Sequence, residues 1–152
     1  ITACRAATDV PAAHHPGSMP AVLKALRKGG SVAFMNDQYA RPPMGIPVEF
    51  FGVRVDTLAV VGALAKRTGA VVLPTYCLRG PDGVHVTHIE PPVDVLANGD
   101  SPEAATQIVA SHVEGWVRRH PEQWLWIHRR FKNLKNDAPT GLTATNGRAS
   151  SP

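Results

Sequence analysis

The chain has few of the residues and patterns that define several common protein classes. Two cysteines, Cys4 and Cys77, are too few for a disulfide framework. No apolar run approaches the roughly 18–20 residues that a membrane-spanning helix needs, and nothing resembles a signal peptide. The adjacent histidines His14 and His15 lack a second group of ligands at suitable spacing. The sequence therefore predicts neither a disulfide scaffold nor a metal site.

What is present suits one ordinary globular domain. The chain has 152 residues, of which 43% are hydrophobic, and a formal net charge of +4. A modest positive charge favours an anionic partner without naming it, so an acidic carrier protein, an anionic lipid and a nucleic acid all stay open at this point. The chain begins with Ile1 rather than Met, from which we expect that it does not start where a gene product starts.

Strand-like and helix-like segments alternate along the chain. Apolar runs at 31–35 and 70–77 predict strands buried in a sheet, and 84–89 predicts a hairpin strand after a Gly-Pro-Asp-Gly turn. Helices are predicted to follow the capping residues Ser18 and Asp56, and a third helix is predicted to start at Asp100-Ser101-Pro102-Glu103, which offers an oxygen cap and a proline near the first position. This order predicts an α/β fold with a partial, largely parallel sheet flanked by helices. The predicted divisions are an irregular segment at 1–17, a folded part at 18–132 and a disordered tail at 133–152.

The stretch 31–52 organises the prediction. Its strand ends abruptly at Asn36-Asp37-Gln38, and polar groups at the end of a buried strand are where open α/β folds place their sites. The proline-rich connection that follows predicts no regular structure. It ends in Phe50-Phe51-Gly52, and we expect it to fold back over the strand end and bury these aromatic rings.

Several motifs, taken in order, resemble one family. They are Asn-Asp-Gln at 36–38, Phe-Phe-Gly-Val at 50–53, Thr-Gly-Ala before Val-Val-Leu-Pro at 68–74, Pro-Glu-Gln-Trp at 121–124 and His-Arg-Arg-Phe-Lys at 128–132. Their order and spacing resemble the C-terminal half of the bacterial lipid A biosynthesis acyltransferases. These are the lauroyl and myristoyl transferases of the lysophospholipid acyltransferase superfamily. The resemblance covers roughly Leu23 to Lys132.

The resemblance implies an enzyme and its partners. It implies transfer of a fatty acyl group from acyl carrier protein to a hydroxyl of a lipid A precursor or a related glycolipid, such as a mannosylated phosphatidylinositol. It places this reaction at the cytoplasmic face of the inner membrane and implies no cofactor. Acyl transfer to a hydroxyl needs a general base, which the family takes from a His followed, after four residues, by an acid.

One string in the chain fits that spacing, from His85 to Glu90, and we reject it as the catalytic motif. Residues five apart on a strand face opposite sides of the sheet, and the string follows the Phe-Phe-Gly segment that the family's motif precedes. We therefore expect no catalytic residue in this fragment, with the base and any membrane anchor upstream of Ile1. The chain alone is predicted to be inactive and, with an unpaired sheet edge, poorly soluble or self-associating.

Asp37 and Gln38 are the first candidate substrate-binding residues. The resemblance implies that Asp37 lies near the head group of the acceptor. The alternative is that its carboxylate caps the following turn through the backbone, as Asx turns do. Gln38 has the same two interpretations.

Aromatic and basic residues supply the other candidates. Phe50, Phe51 and Gly52 can line an acyl-chain pocket, or can simply fill the core beneath the loop. Trp124 and Trp126 precede Arg129, Arg130 and Lys132, a combination that suits a membrane interface or, equally, a terminal segment packed on the sheet. By resemblance these three cations meet phosphate or the acidic carrier. Arg79 can pair with an anion or be an ordinary surface residue.

A second hypothesis is a non-enzymatic module that binds anionic lipid or nucleic acid through the basic stretch 129–135. Its basic residues are few, its aromatic residues adjoin apolar neighbours, and it has no recognised nucleic-acid motif. We therefore expect no nucleic-acid partner.

Overall fold

A computed structural model describes residues 17–99 and 101–132. In chain order, its elements are α1 (Met19–Arg27), β1 (Gly45–Phe50), β2 (Val53–Leu58), α2 (Val60–Thr68), β3 (Thr75–Arg79), β4 (His85–Ile89) and α3 (Pro102–Arg119), then a 3₁₀ turn at Pro121–Gln123. The predicted irregular segment lies outside the described residues except for Gly17, and the predicted tail at 133–152 lies wholly outside them.

The predictions of the first and last helices are confirmed. Ser18 stands at the N-cap of α1, although its side chain makes no capping hydrogen bond there. At the start of α3, Ser101 Oγ accepts a hydrogen bond from the Ala104 N–H at 3.0 Å. The helix ends at His120, where the following proline removes a donor and disfavours helical backbone.

The strands pair as two antiparallel hairpins, β1 with β2 and β3 with β4, so the α/β class holds but a largely parallel sheet is not found in the described residues. The segment 31–35, predicted as a buried strand, forms no ladder there, and Met35 is 71% exposed. The second predicted strand, 70–77, is found in part: residues 75–77 begin β3, and the residues before them make a single bridge, from Val72 to Val93. An apolar run indicates a preference for burial, but it does not specify a pairing partner.

The β1–β2 hairpin replaces the irregular loop predicted before Gly52. Its turn has positive φ at both Phe51 (53°) and Gly52 (76°), the backbone of a tight hairpin turn whose twist matches that of the strands. Asp56 lies within β2, so its predicted role as a helix cap is wrong, and α2 begins at Val60. The sequence does not predict this hairpin, because phenylalanine rarely adopts positive φ and therefore does not indicate a turn.

Helix α3 packs against the β1–β2 hairpin and forms the main core. The buried members of this core are Val48, Phe50, Val55, Ala110, Val113 and Val117. Helix α2 approaches α3 closely at Gly62, where a Cβ atom would lie 2.3 Å from the Cβ of Ala105. Such a distance is sterically impossible, so glycine is required for the two helices to pack in this way.

Two glutamine side chains cover the outer edges of the hairpins. Gln107 Oε1 accepts from the Glu49 N–H at 2.8 Å, and Gln107 Nε2 donates to the Glu49 carbonyl at 3.0 Å. Gln123 makes the same pair of bonds to the backbone of Arg79, at 2.7 and 3.0 Å. Each amide therefore satisfies a backbone N–H and C=O that would otherwise be open to edge-to-edge pairing.

Candidate functional site

The candidate site lies where the turn at 36–38 meets the C-terminal segment 128–132. Arg130, which is fully buried, reaches across from this segment and donates from Nη1 to the carbonyl of Gln38. It also donates from Nη1 to the Asp56 carbonyl at 3.3 Å and from Nη2 to Thr57 Oγ1 at 2.7 Å. One guanidinium thus ties the polar turn to β2.

Two carboxylates and an aromatic ring stabilise the buried positive charge of Arg130. Burial lowers its pKa from the usual value of a guanidinium to about 10, while the carboxylates of Asp37 and Asp56 raise it. The guanidinium therefore stays protonated at neutral pH. Its Cζ lies 5.0 Å from the centre of the Phe50 ring, a cation–π contact that partly replaces lost hydration.

Lys132 makes a second link between the same two segments. Its Nζ lies 4.0 Å from the centre of the ring of Tyr39, which is the residue directly after the polar turn. The backbone of Tyr39 in turn forms a bridge with Thr57 of β2. The structure thus brings together Asp37, Gln38, Phe50, Arg130 and Lys132, five predicted site residues that are up to 95 positions apart in the chain.

The Phe-Phe-Gly motif is part of the support beneath the site. Phe50 is fully buried, and its ring lies 5.8 Å from that of Trp124 and 6.0 Å from that of Phe131. This arrangement favours the core-filling interpretation of Phe50, and its contact with an acyl chain stays a prediction. Gly52 has open space around its α-carbon, so positive φ rather than close approach is what requires glycine there.

Phe51 is held in its unusual backbone conformation by helix α3. Its N–H donates to Glu114 Oε2 at 2.8 Å, and the guanidinium of Arg118 lies 4.6 Å from the centre of its ring. Arg118 is itself paired with the other oxygen of Glu114. The hydrogen bond from the Phe51 backbone, assisted by Arg118 and opposed by burial, lowers the pKa of Glu114.

At the turn itself, Asp37 is half-buried and Gln38 is exposed, whereas the preceding Asn36 is buried. Both polar atoms of the Asn36 side chain lack a hydrogen-bond partner among the described residues. Sequence reasoning placed Asn36 in the motif but did not single it out. A buried amide without partners is rare enough to mark this residue for the site, and the only sequence signal was its position before Asp37.

The other predicted binding residues lie apart from this cluster or point to solvent. Arg79 ends β3 on the other hairpin, and Arg129 is exposed beside the buried Arg130. Arg130, predicted to meet phosphate or the carrier protein, has its guanidinium engaged inside the protein. The geometry favours a positioning role for it, and substrate contact by all three arginines stays a prediction.

The rejected His85–Glu90 string lies on and beside β4. His85 is exposed, while Glu90 Oε1 accepts from Trp116 Nε1 at 2.8 Å and lies 3.4 Å from Arg119 Nη2. Glu90 also lies 3.4 Å from His112 Nδ1, so its carboxylate fastens the β3–β4 hairpin to α3. These contacts are structural and join His85 to no acid.

Two open cavities occur elsewhere on the surface. One of about 330 Å³ is lined by Glu90 and its partners on α3, and another of about 400 Å³ lies between β1 and the start of α3. No predicted site residue lines either of them. Within ranges 17–99 and 101–132, no group of three or more His, Cys, Asp or Glu residues is placed to hold a metal ion.

Comparison with known proteins identifies the family. Residues 1–133 match the model of the family described as bacterial lipid A biosynthesis acyltransferase. The chain belongs to this family. The match reaches further towards the N-terminus than the motifs from Leu23 onwards had indicated.

Individual relatives support the same assignment. The chain is 31% identical over 120 residues to a lipid A biosynthesis lauroyltransferase of Escherichia coli, covering 78% of the chain and 39% of that relative. It is 32% identical over 113 residues to a palmitoleoyltransferase of the same organism, covering 73% and 36%. A lipid A biosynthesis acyltransferase of Haemophilus influenzae is 27% identical over 115 residues, with 75% and 35% covered.

The chain therefore spans less than two fifths of the length of these acyltransferases. The matched family segment includes the polar turn, the β1–β2 hairpin and the segment that carries Arg130. Across the part of the family domain that the structure describes, no helix has the length and apolar character to cross a bilayer.

Proposed function

We propose that the protein to which this chain belongs transfers a fatty acyl group from acyl carrier protein to a hydroxyl of a lipid A precursor. The observation that carries the proposal is family membership over residues 1–133. Relatives named for lauroyl, palmitoleoyl and myristoyl transfer support acyl transfer as the reaction. The donor, the acceptor and a location at the cytoplasmic face of the inner membrane follow from the resemblance as parts of this proposal.

The polar turn supplies the acceptor-binding group in this proposal. Asp37 is half-buried, and its negative charge stabilises the charged form of the buried Arg130 guanidinium and so raises the pKa of Arg130. Arg130 donates a hydrogen bond to the carbonyl of Gln38, the residue after Asp37, and this bond restricts the backbone at Asp37. A carboxylate that is already held in place loses less entropy when it binds a sugar or amide group. Lys132 and Arg129 lie on the adjoining segment, where exposed cations suit phosphate groups on the lipid or acids on the carrier.

The proton-abstracting group comes from outside this chain in the same proposal. His85 and Glu90 fit the family spacing, but Glu90 bonds to Trp116 and Arg119 rather than orienting His85. Without an oriented base, the acceptor hydroxyl is a poor nucleophile. We infer that the 152 residues alone do not catalyse transfer.

The first experiment tests that inference directly. The purified chain is incubated with acyl carrier protein bearing a radiolabelled fatty acyl group and with a lipid A precursor, and labelled lipid is separated by thin-layer chromatography. We expect no labelled lipid. Labelled product formed by the 152 residues would overturn the inference that the base is supplied from outside.

The second experiment tests the reaction and the role of Asp37. A protein extended by the coding sequence that precedes Ile1 is assayed with the same donor and acceptor, and we expect transfer. Asp37→Asn should raise KM for the lipid acceptor about tenfold, as loss of one charge-assisted hydrogen bond predicts, with KM for the acyl donor unchanged. Asp82→Asn, at an exposed hairpin turn, is the matched control.

The outcomes separate the two ideas. Absence of transfer in the extended protein would contradict the acyltransferase proposal. Transfer with equal acceptor KM in the Asp37→Asn and Asp82→Asn variants would leave the reaction standing and contradict the role of Asp37.

The alternative of a nucleic-acid-binding module loses support from the structure. It depends on the basic stretch from Arg129, and the buried Arg130 removes one of its cations from the surface. Backbone-directed nucleic-acid binding needs exposed cations that can replace counterions. Binding measured across salt concentrations with nucleic acid and with anionic vesicles distinguishes the two kinds of partner.

A further inference from the structure

Three consecutive large apolar side chains project from the turn that follows the 3₁₀ segment. Leu125 is 53% exposed, Trp126 is 57% exposed and Ile127 is 87% exposed. The turn is closed by a hydrogen bond from the His128 N–H to the Leu125 carbonyl at 3.0 Å, which leaves Trp126 and Ile127 at its tip. Exposed apolar residues are common singly, but a run of three at a turn marks an interaction surface.

This apolar turn, residues 125–127, is firmly mounted on the protein. Trp124, directly before it, packs against the buried Phe50, and its ring lies 4.7 Å from that of Trp126 in an edge-to-face arrangement. The indole N–H of Trp126 donates to the Pro121 carbonyl at 2.6 Å. The exposed side chains therefore keep their outward position, and little entropy is lost when they enter another phase.

The charges beside the apolar turn are mainly positive. Arg129 follows it by two residues and is exposed, and Lys132 lies on the same segment. Glu122, with its side chain 66% exposed, is the acid on the preceding turn and opposes them in part. A tryptophan with apolar neighbours and adjacent cations suits the interface of an anionic bilayer, where indoles lie at head-group level and basic residues meet lipid phosphates.

We propose that the apolar turn, residues 125–127, inserts into the surface of an anionic lipid bilayer while Arg129 contacts the phosphate groups. Leu125 and Ile127 enter the acyl boundary, and Trp126 lies at the level of the head groups. The contact holds the adjoining polar turn at 36–38 close to the membrane, through the bonds of Arg130 and the contact of Lys132 with Tyr39. An acceptor lipid would then reach Asp37 without leaving the bilayer.

This inference deepens the proposed function, on which it rests for the identity of the membrane. Its test uses the purified 152-residue chain and needs no acyl transfer. If the chain binds vesicles but the extended protein transfers no acyl group, the proposed reaction is contradicted and the membrane-binding surface is still supported.

The test measures binding to vesicles by sedimentation. Vesicles of phosphatidylcholine with and without phosphatidylglycerol are compared at low and physiological salt, and we expect binding to require the anionic lipid. Ile127→Ser should reduce the partition coefficient about tenfold, the factor expected when one buried aliphatic side chain is lost. Arg129→Gln should reduce it about fivefold at low salt and less at high salt.

The matched control is Ile89→Ser. Ile89 is 67% exposed on β4, so this variant removes the same amount of aliphatic side chain from a different surface. We expect its partition coefficient to equal that of the unmodified chain. Circular dichroism of each variant checks that the fold is retained, which the high exposure of both isoleucines favours.

A fluorescence measurement tests insertion independently. Bromine atoms on the upper acyl chain of the lipid should quench the emission of the unmodified chain, and most of this quenching should be absent in Trp126→Phe.

Several results would overturn the proposal. These are no binding of the unmodified chain to anionic vesicles, equal effects of Ile127→Ser and Ile89→Ser, or quenching that persists in Trp126→Phe. If Ile127→Ser instead changes the molar mass in solution and leaves vesicle binding unchanged, the turn is a contact between copies of the chain.

Discussion

Replacement of Arg130 by methionine is the sharpest test of how the site is built. Methionine has a similar length and fills much of the same space, but it has no donors for the carbonyls of Gln38 and Asp56 or for Thr57 Oγ1. The turn at 36–38 would lose its hydrogen bond to the C-terminal segment and keep only the neighbouring contact of Lys132 with Tyr39. We expect both the stability of the fold and the order of the turn to fall.

The magnitude follows from two opposing terms. The partly buried Gln38 carbonyl and the buried Thr57 Oγ1 lose the donors that Arg130 supplies, at about 1–3 kcal/mol each. The Asp56 carbonyl keeps the N–H of Ala40, so the loss there is that of one ordinary hydrogen bond, about 1 kcal/mol, and the sum is about 5 kcal/mol. Removal of the buried charge gives some of this back, since the lowering of the Arg130 pKa to about 10 corresponds to about 3 kcal/mol against the charged form. The expected net loss in the free energy of unfolding is about 2 kcal/mol, which for a chain of this size lowers the Tm by about 4–8 °C.

Urea unfolding followed by tryptophan fluorescence measures this loss, with Arg129→Met as the matched control. Arg129 is the exposed neighbour, and its replacement should change the free energy of unfolding by no more than about 0.5 kcal/mol. Arg130→Lys should fall between the two, because an ammonium cannot reproduce the fork of a guanidinium. Equal stability of Arg130→Met and Arg129→Met would refute the role assigned to the buried guanidinium.

Three further predictions concern the β1–β2 hairpin. Gly52→Ala should destabilise the chain by about 1 kcal/mol in urea unfolding although a Cβ has room there, because alanine disfavours positive φ, and Gly52→Asn should cost less. Glu114→Gln should cost about 1 kcal/mol near neutral pH. Because the pKa of Glu114 is lowered in the fold, that difference should persist above its ordinary value of 4.5 and fade as the pH falls below it; a difference that grows in acid would contradict the Phe51 hydrogen bond as its cause. Gln107→Leu should leave the Glu49 backbone open to water and speed hydrogen exchange at that amide, and unchanged exchange would show that the glutamine does not protect the edge.

The helices at 19–27 and 102–119 could be predicted because their determinants are local. An apolar stripe that ends at a Gly-Gly or His-Pro pair acts over a few residues, and so does the oxygen cap that Ser101 supplies at 102–119. The β3–β4 hairpin followed from a Gly-Pro-Asp-Gly turn for the same reason. Such local signals predict the same helix or turn regardless of where the segment packs in the fold.

The sheet could not be predicted in the same way, because strand pairing depends on residues distant in sequence. The runs at 31–35 and 70–77 have the composition of buried strands, yet only 75–77 belongs to a ladder in the described residues, as the start of β3. The turn at Phe51 and Gly52 is stabilised by Glu114, 63 residues later, and this support is invisible to a local pattern. Parallel pairing was inferred from the alternation of strand-like and helix-like segments, and the described residues form antiparallel hairpins instead.

The sequence by itself determined the family, because motif order and spacing persist whatever the packing. It also placed Asp37 and Gln38 directly after an apolar run, although the strand predicted for that run is not found. Only the tertiary structure decided what the cations do. Arg129, Arg130 and Lys132 are similar in sequence, but Arg130 alone is buried and bonded to the turn, while Arg129 faces solvent. Arg130 is buried and hydrogen-bonded because its segment packs against residues some 90 positions earlier, such as Gln38. A local sequence pattern contains no information about contacts over that distance.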